Sequence, residues 1–543
     1  MSDEQAGASE QTETEPEVRP DGGTEEASMV EYGVEDKPPL GESVLLGVQH
    51  YLTMIGATIA VPLILAGLMG MPDAETARLV GTFFVVSGIA TLLQTTVGNR
   101  YPLVQGASFA ILAPGIAIIL TLQASGAGWE TMILELQGAM IVAGALQVLI
   151  GYLGLFGYLK RYLSPVVIAP VIALIGLALF DAPQIVGADT QNLWLFGLTL
   201  VLIIAFSQYL GGYSRIFKLF PVLLGLVTAW LVAVVLSLAD VVDSGSNVHV
   251  DVGSATDPAF IQPILPLQWG TPEFTTAFVI GMFAGVIASM IESFGDYYAV
   301  ARISGEKAPN AKRINHGLGM EGIGNVFAGI MGTGNGSTSY SENIGAIGIT
   351  SVASRYVVQI GGIVMILAGY LGWVGGFVTT IPDPVVGGLF LVMFAQIIGV
   401  GLSQLQYVDL NQNRNVFIVG LALIAGLSIP TYIENFAGDA GAGAVENWLL
   451  NLVGVGPALE AIEDIAIIGE LLGPEALGQI LFVVGTTGIA VGGAIGFLLD
   501  ITVPGTREGR GLTAWENITE EEDDFVPAHE EFLEDRPSEP ADD

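Results

Sequence analysis

Residues 44–70 read VLLGVQHYLTMIGATIAVPLILAGLMG, without a single Lys, Arg, Asp or Glu and with His50 and Tyr51 as the titratable side chains. An α-helix needs roughly 20 apolar residues to cross a ~30 Å hydrocarbon core, and this stretch supplies them. Comparable runs follow near 79–97, 104–121, 136–156, 164–180, 193–212, 219–239, 274–301, 315–332, 342–351, 356–374, 384–402, 415–433 and 478–499, which makes fourteen in all. Over 543 positions, 52% apolar and 13% charged residues do not describe a soluble domain, where about a quarter of residues are charged. The fold expected is an all-α polytopic membrane protein with 14 transmembrane segments. Its 72 glycines suit that class, because they let helices approach closely and break inside the bilayer. Cysteine is absent, which excludes disulfides, thiol chemistry and cysteine metal sites.

The formal charge of −37 is concentrated at the chain ends. Residues 1–40 hold twelve acids against Arg19 and Lys37, and residues 504–543 hold fourteen against Arg507, Arg510 and Arg536. Such segments bury too little apolar surface to fold, so 1–40 and 503–543 are read as disordered acidic tails around a membrane unit, 41–502. Their composition is that of a halophilic acidic surface kept hydrated at high salt. Residues 1–40 also lack the basic start and apolar core of a signal peptide. Positive residues set the orientation. With fourteen spans and the N-terminus inside, the cytoplasmic loops carry Arg100, Lys160, Arg161, Arg215, Lys218, Arg302, Lys307, Lys312, Arg313, Arg355 and Arg414, against Arg78 alone outside. A plasma-membrane protein with both termini cytoplasmic is expected. The outer loops hold Asp181, Asp189, an acidic stretch at 240–257 and the 438–476 region, read as an interfacial helix pair.

Seven spans per half invert the second half relative to the first, giving two inverted repeats. The third and tenth segments occupy corresponding places, and both are irregular. The third contains Gly106-Ala107-Ser108-Phe109; the tenth follows a polar run, 333–341, and is only about ten residues long. Paired short, Gly-interrupted segments point to a substrate site at the bilayer midplane, where half-helix N-termini offer free N–H groups.

Charged side chains inside a span cost about 2.5–3.5 kcal/mol each on insertion scales, so each needs a reason to be there. Away from the span ends stand His50, Glu292, Asp296, Glu321 and Glu342. Glu292 and Asp296 are four residues apart, one turn along one helix face. Two ionised carboxylates there repel, so the pair is read as sharing a proton or a cation, which is how a site couples ligand to ion. Pairing with a buried Arg is the bland alternative, and no Lys or Arg lies well inside any span. Glu342 opens the short tenth helix, where its carboxylate suits the adjacent N–H donors of a ring edge, with Ser341 read as the N-cap. Asn343 is read as a buttress of the break. Glu321 is open between a structural and a coupling acid, and His50 between a core histidine and a member of the site.

At these residues the chain resembles the nucleobase–ascorbate transporter family. The resemblance lies in Gln49-His50, Gln105-Gly106-Ala107-Ser108-Phe109, Glu292-Ser293-Phe294-Gly295-Asp296 and Glu342-Asn343-Ile344-Gly345, then Thr350 and Ser354-Arg355. It runs from about 44 to 499, and 332–338, Pro382-Asp383-Pro384 and 406–411 are similar to the animal branch. The resemblance implies short antiparallel β-strands in segments 3 and 10. It also implies a core part, 41–160 with 273–378, moving against a gate part, 161–272 with 379–502. Substrate contacts would come from the carboxylates of Glu292 and Glu342 and the backbone at Phe109 and Ser341, beside Ser108. Asp296, Glu321 and His50 would serve coupling, and Asn343 and Gly345 would be structural at the site. Asp296 matches the purine carriers, whereas Glu342 is the uracil-type residue where bacterial and fungal purine carriers have Gln and ascorbate carriers Pro.

The function expected is secondary active import of a nucleobase, uracil or a xanthine-type purine, with H⁺ or Na⁺ as coupling ion and no other cofactor. Its partners would be that small molecule, the lipid bilayer and a second copy through the gate part, with no nucleic acid. An anion exchanger or channel on the same plan calls for a basic residue at the midplane break, where this chain has Glu342; an ascorbate-like substrate is the other alternative. No nucleophile with its base, metal cluster or nucleotide-binding loop marks an enzyme or an ATP-driven pump.

Overall fold

The computed structural model describes residues 30–156, 163–180, 182–187, 192–452, 454–463, 473–513 and 525–527. Lys160, Arg161, Asp181, Asp189 and most of both acidic tails lie outside the described residues. The first half contains α1 (Leu40–Met69), α2 (Asp73–Thr96), β1 (Gln105–Ala107), α3 (Phe109–Ala124), α4 (Trp129–Tyr152), α5 (Pro165–Leu177), α6 (Leu193–Ile204) and α7 (Pro221–Leu238). The second contains α8 (Thr276–Ile303), α9 (Ala311–Met331), β2 (Ser337–Ser339), α10 (Ser341–Thr350), α11 (Arg355–Tyr370), α12 (Asp383–Ser403), α13 (Asn413–Ala437), α14 (Pro474–Thr486) and α15 (Gly488–Thr502).

Among the described residues seven helices are long and apolar enough to cross a membrane: α1, α2, α4, α7, α8, α12 and α13. An eighth span results if α14 and α15, bent by 87° at their junction, count as one. The other apolar stretches form shorter helices, α3, α5, α6 and α11. Of the two irregular segments, each divides its length between a strand and a helix, and α10 has only 10 residues. The bend between α14 and α15 gives no warning in an unbroken apolar run. The region read as an interfacial helix pair holds Ala442–Leu450 and Gly456–Glu463, with 464–472 outside the described residues.

β1 and β2 form a two-stranded antiparallel ladder with Gln105 opposite Ser339, Gly106 opposite Thr338 and Ala107 opposite Ser337. Tyr340 covers it, donating its hydroxyl to the Ala107 carbonyl (3.0 Å) while its backbone N–H donates to Val104 (3.1 Å). A Cβ on Gly106 would lie 2.5 Å from the Tyr340 ring, so only glycine fits beneath it. Close helix contact recurs between α4 and α9, where a Cβ on Gly151 would lie 2.3 Å from the Gly319 nitrogen. Ile64, Phe84, Ile111, Met140, Phe294 and Phe390 belong to the main apolar cluster packed around these elements.

Both tail boundaries shift. Residues 30–39 are docked on the membrane unit: Val30 and Val34 are buried, Tyr32 bridges Val352, and Glu35 accepts two hydrogen bonds from Arg355 (2.8 and 2.6 Å). Burial pushes the Glu35 carboxyl up, but the hydrogen bonds and charge of Arg355, with Arg100 beyond, hold it below its ordinary value. At the other end, Asn415 donates to the Gly509 carbonyl (2.6 Å) and Arg510 pairs with Asp500 (2.5 Å). Phe525 sits 4.8 Å from the Arg313 guanidinium. Average composition hid these anchors, because a few apolar and paired residues suffice to dock a short segment of an otherwise acidic tail.

Candidate functional site

The ladder places two helix N-termini side by side, α3 after β1 and α10 after β2, each with backbone N–H groups that have no partner within the helix. Ser108 caps α3, its Oγ accepting from the Ile111 N–H (3.4 Å). Asn335 fixes the same turn by accepting from the Ser108 N–H (2.8 Å) and donating to its carbonyl (3.0 Å). Tyr340 is the N-cap of α10 and offers no side-chain cap. Ser341, read from sequence as that cap, is instead the first helical residue, and its hydroxyl donates to Asp296 Oδ1 at 2.6 Å.

In front of these termini lies a cavity of about 490 Å³, within the ~300–1,000 Å³ typical of ligand sites. Phe109, Tyr340, Ser341 and Glu342 line it from the broken segments, Glu292 from α8, and Gln396, Ile397 and Ser403 from α12. The Phe109 ring meets Phe394 of α12 edge-on, centroids 5.9 Å apart. A second cavity of about 210 Å³ adjoins the first, lined by Asp296, Tyr298 and Arg302 of α8 and by Gln404, Gln406 and Tyr407. Glu292, Ser341 and Gly345 border both.

Behind the cavities, α8 and α9 clasp β2. Ser339 Oγ donates to Glu321 Oε1 (2.7 Å), the Ser339 N–H donates to Ser293 Oγ (3.4 Å), and Ser293 Oγ lies 3.0 Å from Thr338 Oγ1. Asn343 donates its amide to the Pro102 carbonyl, so its Oδ1 is left to accept from His50 Nδ1 at 3.1 Å. Glu292 Oε2, Asp296 Oδ2, Glu321 Oε2 and His50 Nε2 are buried without a hydrogen-bond partner among the described residues. Among the described residues none of Glu292, Asp296, Glu321 and Glu342 forms an ion pair with Lys or Arg.

Of the expected substrate contacts, Glu292, Glu342, Phe109 and Ser341 therefore come together on one cavity with Gly345, while Ser108 does not line it because capping and Asn335 occupy its polar groups. Of the two cavities Asp296 borders only the second; Glu321, His50 and Asn343 border neither and are held in the hydrogen bonds behind them. Sequence reasoning missed Thr53, Lys218, Gln396 and Ser403, all on the larger cavity. Gln396 and Ser403 were detectable as polar side chains in an apolar run, whereas Lys218 served only as an orientation marker.

Helices long and apolar enough to cross a bilayer, around a cavity that carries two carboxylates and is built on two broken segments, define a multi-pass membrane transporter. The family model Xan_ur_permease, described as the Permease family, matches residues 41–435. Solute carrier family 23 member 1 of Rattus norvegicus is 38% identical over 529 residues, covering 89% of this chain and 82% of that protein. Nucleobase-ascorbate transporter 12 of Arabidopsis thaliana is 32% identical over 523 residues, covering 90% and 72%. The chain belongs to this family of nucleobase–ascorbate transporters. Among solved structures, the transmembrane domain of the cyanobacterium bicarbonate transporter BicA shares the fold, with a TM-score of 0.51 at 15% identity, over 72% of this chain and 96% of that one. Murine Slc26a9, an anion transporter, gives 0.53 at 14% identity over 72% and 66%.

Proposed function

We propose that the chain imports a nucleobase, uracil or a xanthine-type purine, together with H⁺ or Na⁺. In this reading fourteen segments form two inverted seven-span repeats. The core, 41–160 with 273–378, moves against the gate, 161–272 with 379–502, in the plasma membrane with both termini cytoplasmic. The observation that carries it is the pair of carboxylates, Glu292 and Glu342, on one cavity with no ion pair to Lys or Arg among the described residues. Unpaired carboxylates accept adjacent ring N–H donors, the Phe109 ring offers an apolar face, and backbone N–H groups at the start of α10 supply donors for ring carbonyls. Asp296, one turn from Glu292, carries the cation. The larger cavity reaches Lys218 and the end of α12, and the smaller one reaches Arg302 and the ends of α8 and α12, the side read as cytoplasmic, which supports an inward-open state.

A second reading is an ascorbate-like anion. Lys218 on the cavity favours it, as do the names of the plant relatives, which join nucleobase and ascorbate. Uptake of labelled uracil, xanthine and ascorbate into proteoliposomes, under imposed proton or sodium gradients, separates the two. Gradient-driven accumulation of uracil or xanthine is expected. Accumulation of ascorbate alone would replace the nucleobase reading, and accumulation of none would sink both.

A further inference from the structure

We infer that the coupling cation reaches Asp296 through the smaller cavity, by a route separate from that of the substrate. This rests on the proposed coupling role of Asp296 and adds where its ion enters and leaves. Asp296 borders the smaller cavity and is only 5% exposed; its Oδ1 is held by Ser341, and its Oδ2 is buried with no hydrogen-bond partner among the described residues. Asp296 does not border the larger cavity, and Glu342 does not border the smaller one. Glu292 stands in the wall between them, with one buried, unpartnered oxygen. The two cavities thus divide the work: ring recognition at Glu342, monovalent cation capture at Asp296, and Glu292 in contact with both.

The charged and titratable groups around Asp296 are Glu292 and Arg302 on its own helix, Glu321 on α9, Glu342 on α10, and Tyr298 and Tyr407 along the cavity. Arg302 stands toward the open end and donates to the Tyr407 hydroxyl (3.2 Å). A fixed positive charge there lowers the affinity of the outer part of the cavity for a cation, which leaves capture to the carboxylate of Asp296.

Two glycines make the test clean. A Cβ on Gly295, which lines only the smaller cavity, meets nothing within 4 Å, and the same holds for Gly399, which lines only the larger one. Because the native chain has no cysteine, Gly295→Cys and Gly399→Cys each introduce a single thiol that accepts a benzyl thiosulfonate plug after folding. Equilibrium binding of uracil and xanthine would be measured against pH and sodium before and after plugging, each unplugged protein being its own control for folding. Plugging at 295 is expected to leave substrate affinity at high pH and without sodium within about twofold, and to reduce the rise of that affinity with cation about tenfold or more. Plugging at 399 is expected to abolish substrate binding. Ala299→Cys, also on the smaller cavity alone, should repeat the result at 295. Equal loss of substrate affinity from plugs at 295 and 399, or an unchanged cation dependence after plugging at 295, would overturn the separate route. Unplugged protein whose binding ignores both pH and sodium would instead overturn the coupling reading, and this inference with it.

Discussion

The hydroxyl of Ser341 donates to Asp296 Oδ1 across 2.6 Å, which ties the first residue of α10 to the middle of α8. Both residues border the smaller cavity, and Ser341 also borders the larger one. In the proposed mechanism this bond carries a change in cation occupancy at Asp296 to the helix that holds Glu342. Asp296→Asn should abolish gradient-driven accumulation while equilibrium binding of substrate survives. Ser341→Ala, which removes the tie and keeps the carboxylate, should weaken the pH or sodium dependence of substrate affinity by about three- to tenfold, the size of a ~1 kcal/mol hydrogen bond. Binding titrations at several pH values and sodium concentrations decide it. An Asp296→Asn protein that still concentrates substrate with the parent's ion dependence has no coupling carboxylate at this position.

Glu342→Gln tests recognition. The substitution keeps shape and removes the charge proposed to accept ring N–H donors. A charge-assisted hydrogen bond contributes roughly 1.5–3 kcal/mol, so uracil affinity should fall about ten- to a hundredfold. Competition with xanthine should show a smaller loss, since Gln presents both an acceptor and a donor. Unaltered affinities for both would remove Glu342 from the contact surface.

Much of this was legible in sequence, and for a local reason. Apolar runs, Gly-rich breaks and the four-residue spacing of Glu292 and Asp296 depend on neighbours along the chain. What was not legible is long-range. Glu35 meets Arg355 across 320 residues of sequence and Ser164 meets Asp500 across 336, and nothing in either neighbourhood names the other. Lys218 and Thr53 reach the cavity only because the fold brings α7's approach and α1 together there. Ser341 looked like a cap because Ser usually is one; a buried carboxylate one helix away offered its hydroxyl a charged acceptor, and that interaction prevailed over capping.

The docked N-terminal segment makes a prediction about acid. Arg355 is buried, and besides Glu35 it holds the Thr95 carbonyl and the Tyr356 hydroxyl. Because Glu35 titrates below its ordinary value when docked, its stabilisation is complete above the free carboxylate value of about 4.3 and is lost as pH falls through the lowered value. Deuterium exchange at residues 30–36 should therefore be slow at neutral pH and rise as pH falls below about 4. Glu35→Gln should exchange quickly at every pH, and removal of residues 1–38 should lower thermal stability where removal of 1–29 does not. Equal exchange in Glu35→Gln and parent would show that the apolar contacts of Val30 and Val34 hold the segment alone.

Asp500 closes the other end of the membrane unit, and the charge balance there is uneven. Its side chain is fully buried and receives Arg414 at 2.8 Å, Arg510 at 2.5 Å and Ser164 at 2.7 Å, so one carboxylate serves two guanidinium groups from α13 and the C-terminal segment. Removing the carboxylate leaves two largely buried cations facing each other, whereas removing Arg510 still leaves a matched pair with Arg414. Breaking a buried pair by deleting one partner costs about 3–5 kcal/mol, and Asp500→Asn should reach that range, because the amide keeps the shape but loses the charge. Arg510→Gln should cost less, since Arg510 lies nearer solvent and Asp500 stays neutralised. A chain truncated after residue 509 should match Arg510→Gln, and adding that truncation to Asp500→Asn should partly restore stability by removing one stranded cation. Melting of detergent-solubilised protein, followed by size-exclusion chromatography after heating, ranks the four variants. If Asp500→Asn melts with the parent, the carboxylate is dispensable, and the C-terminal segment is held by the Asn415 contact to the Gly509 carbonyl instead.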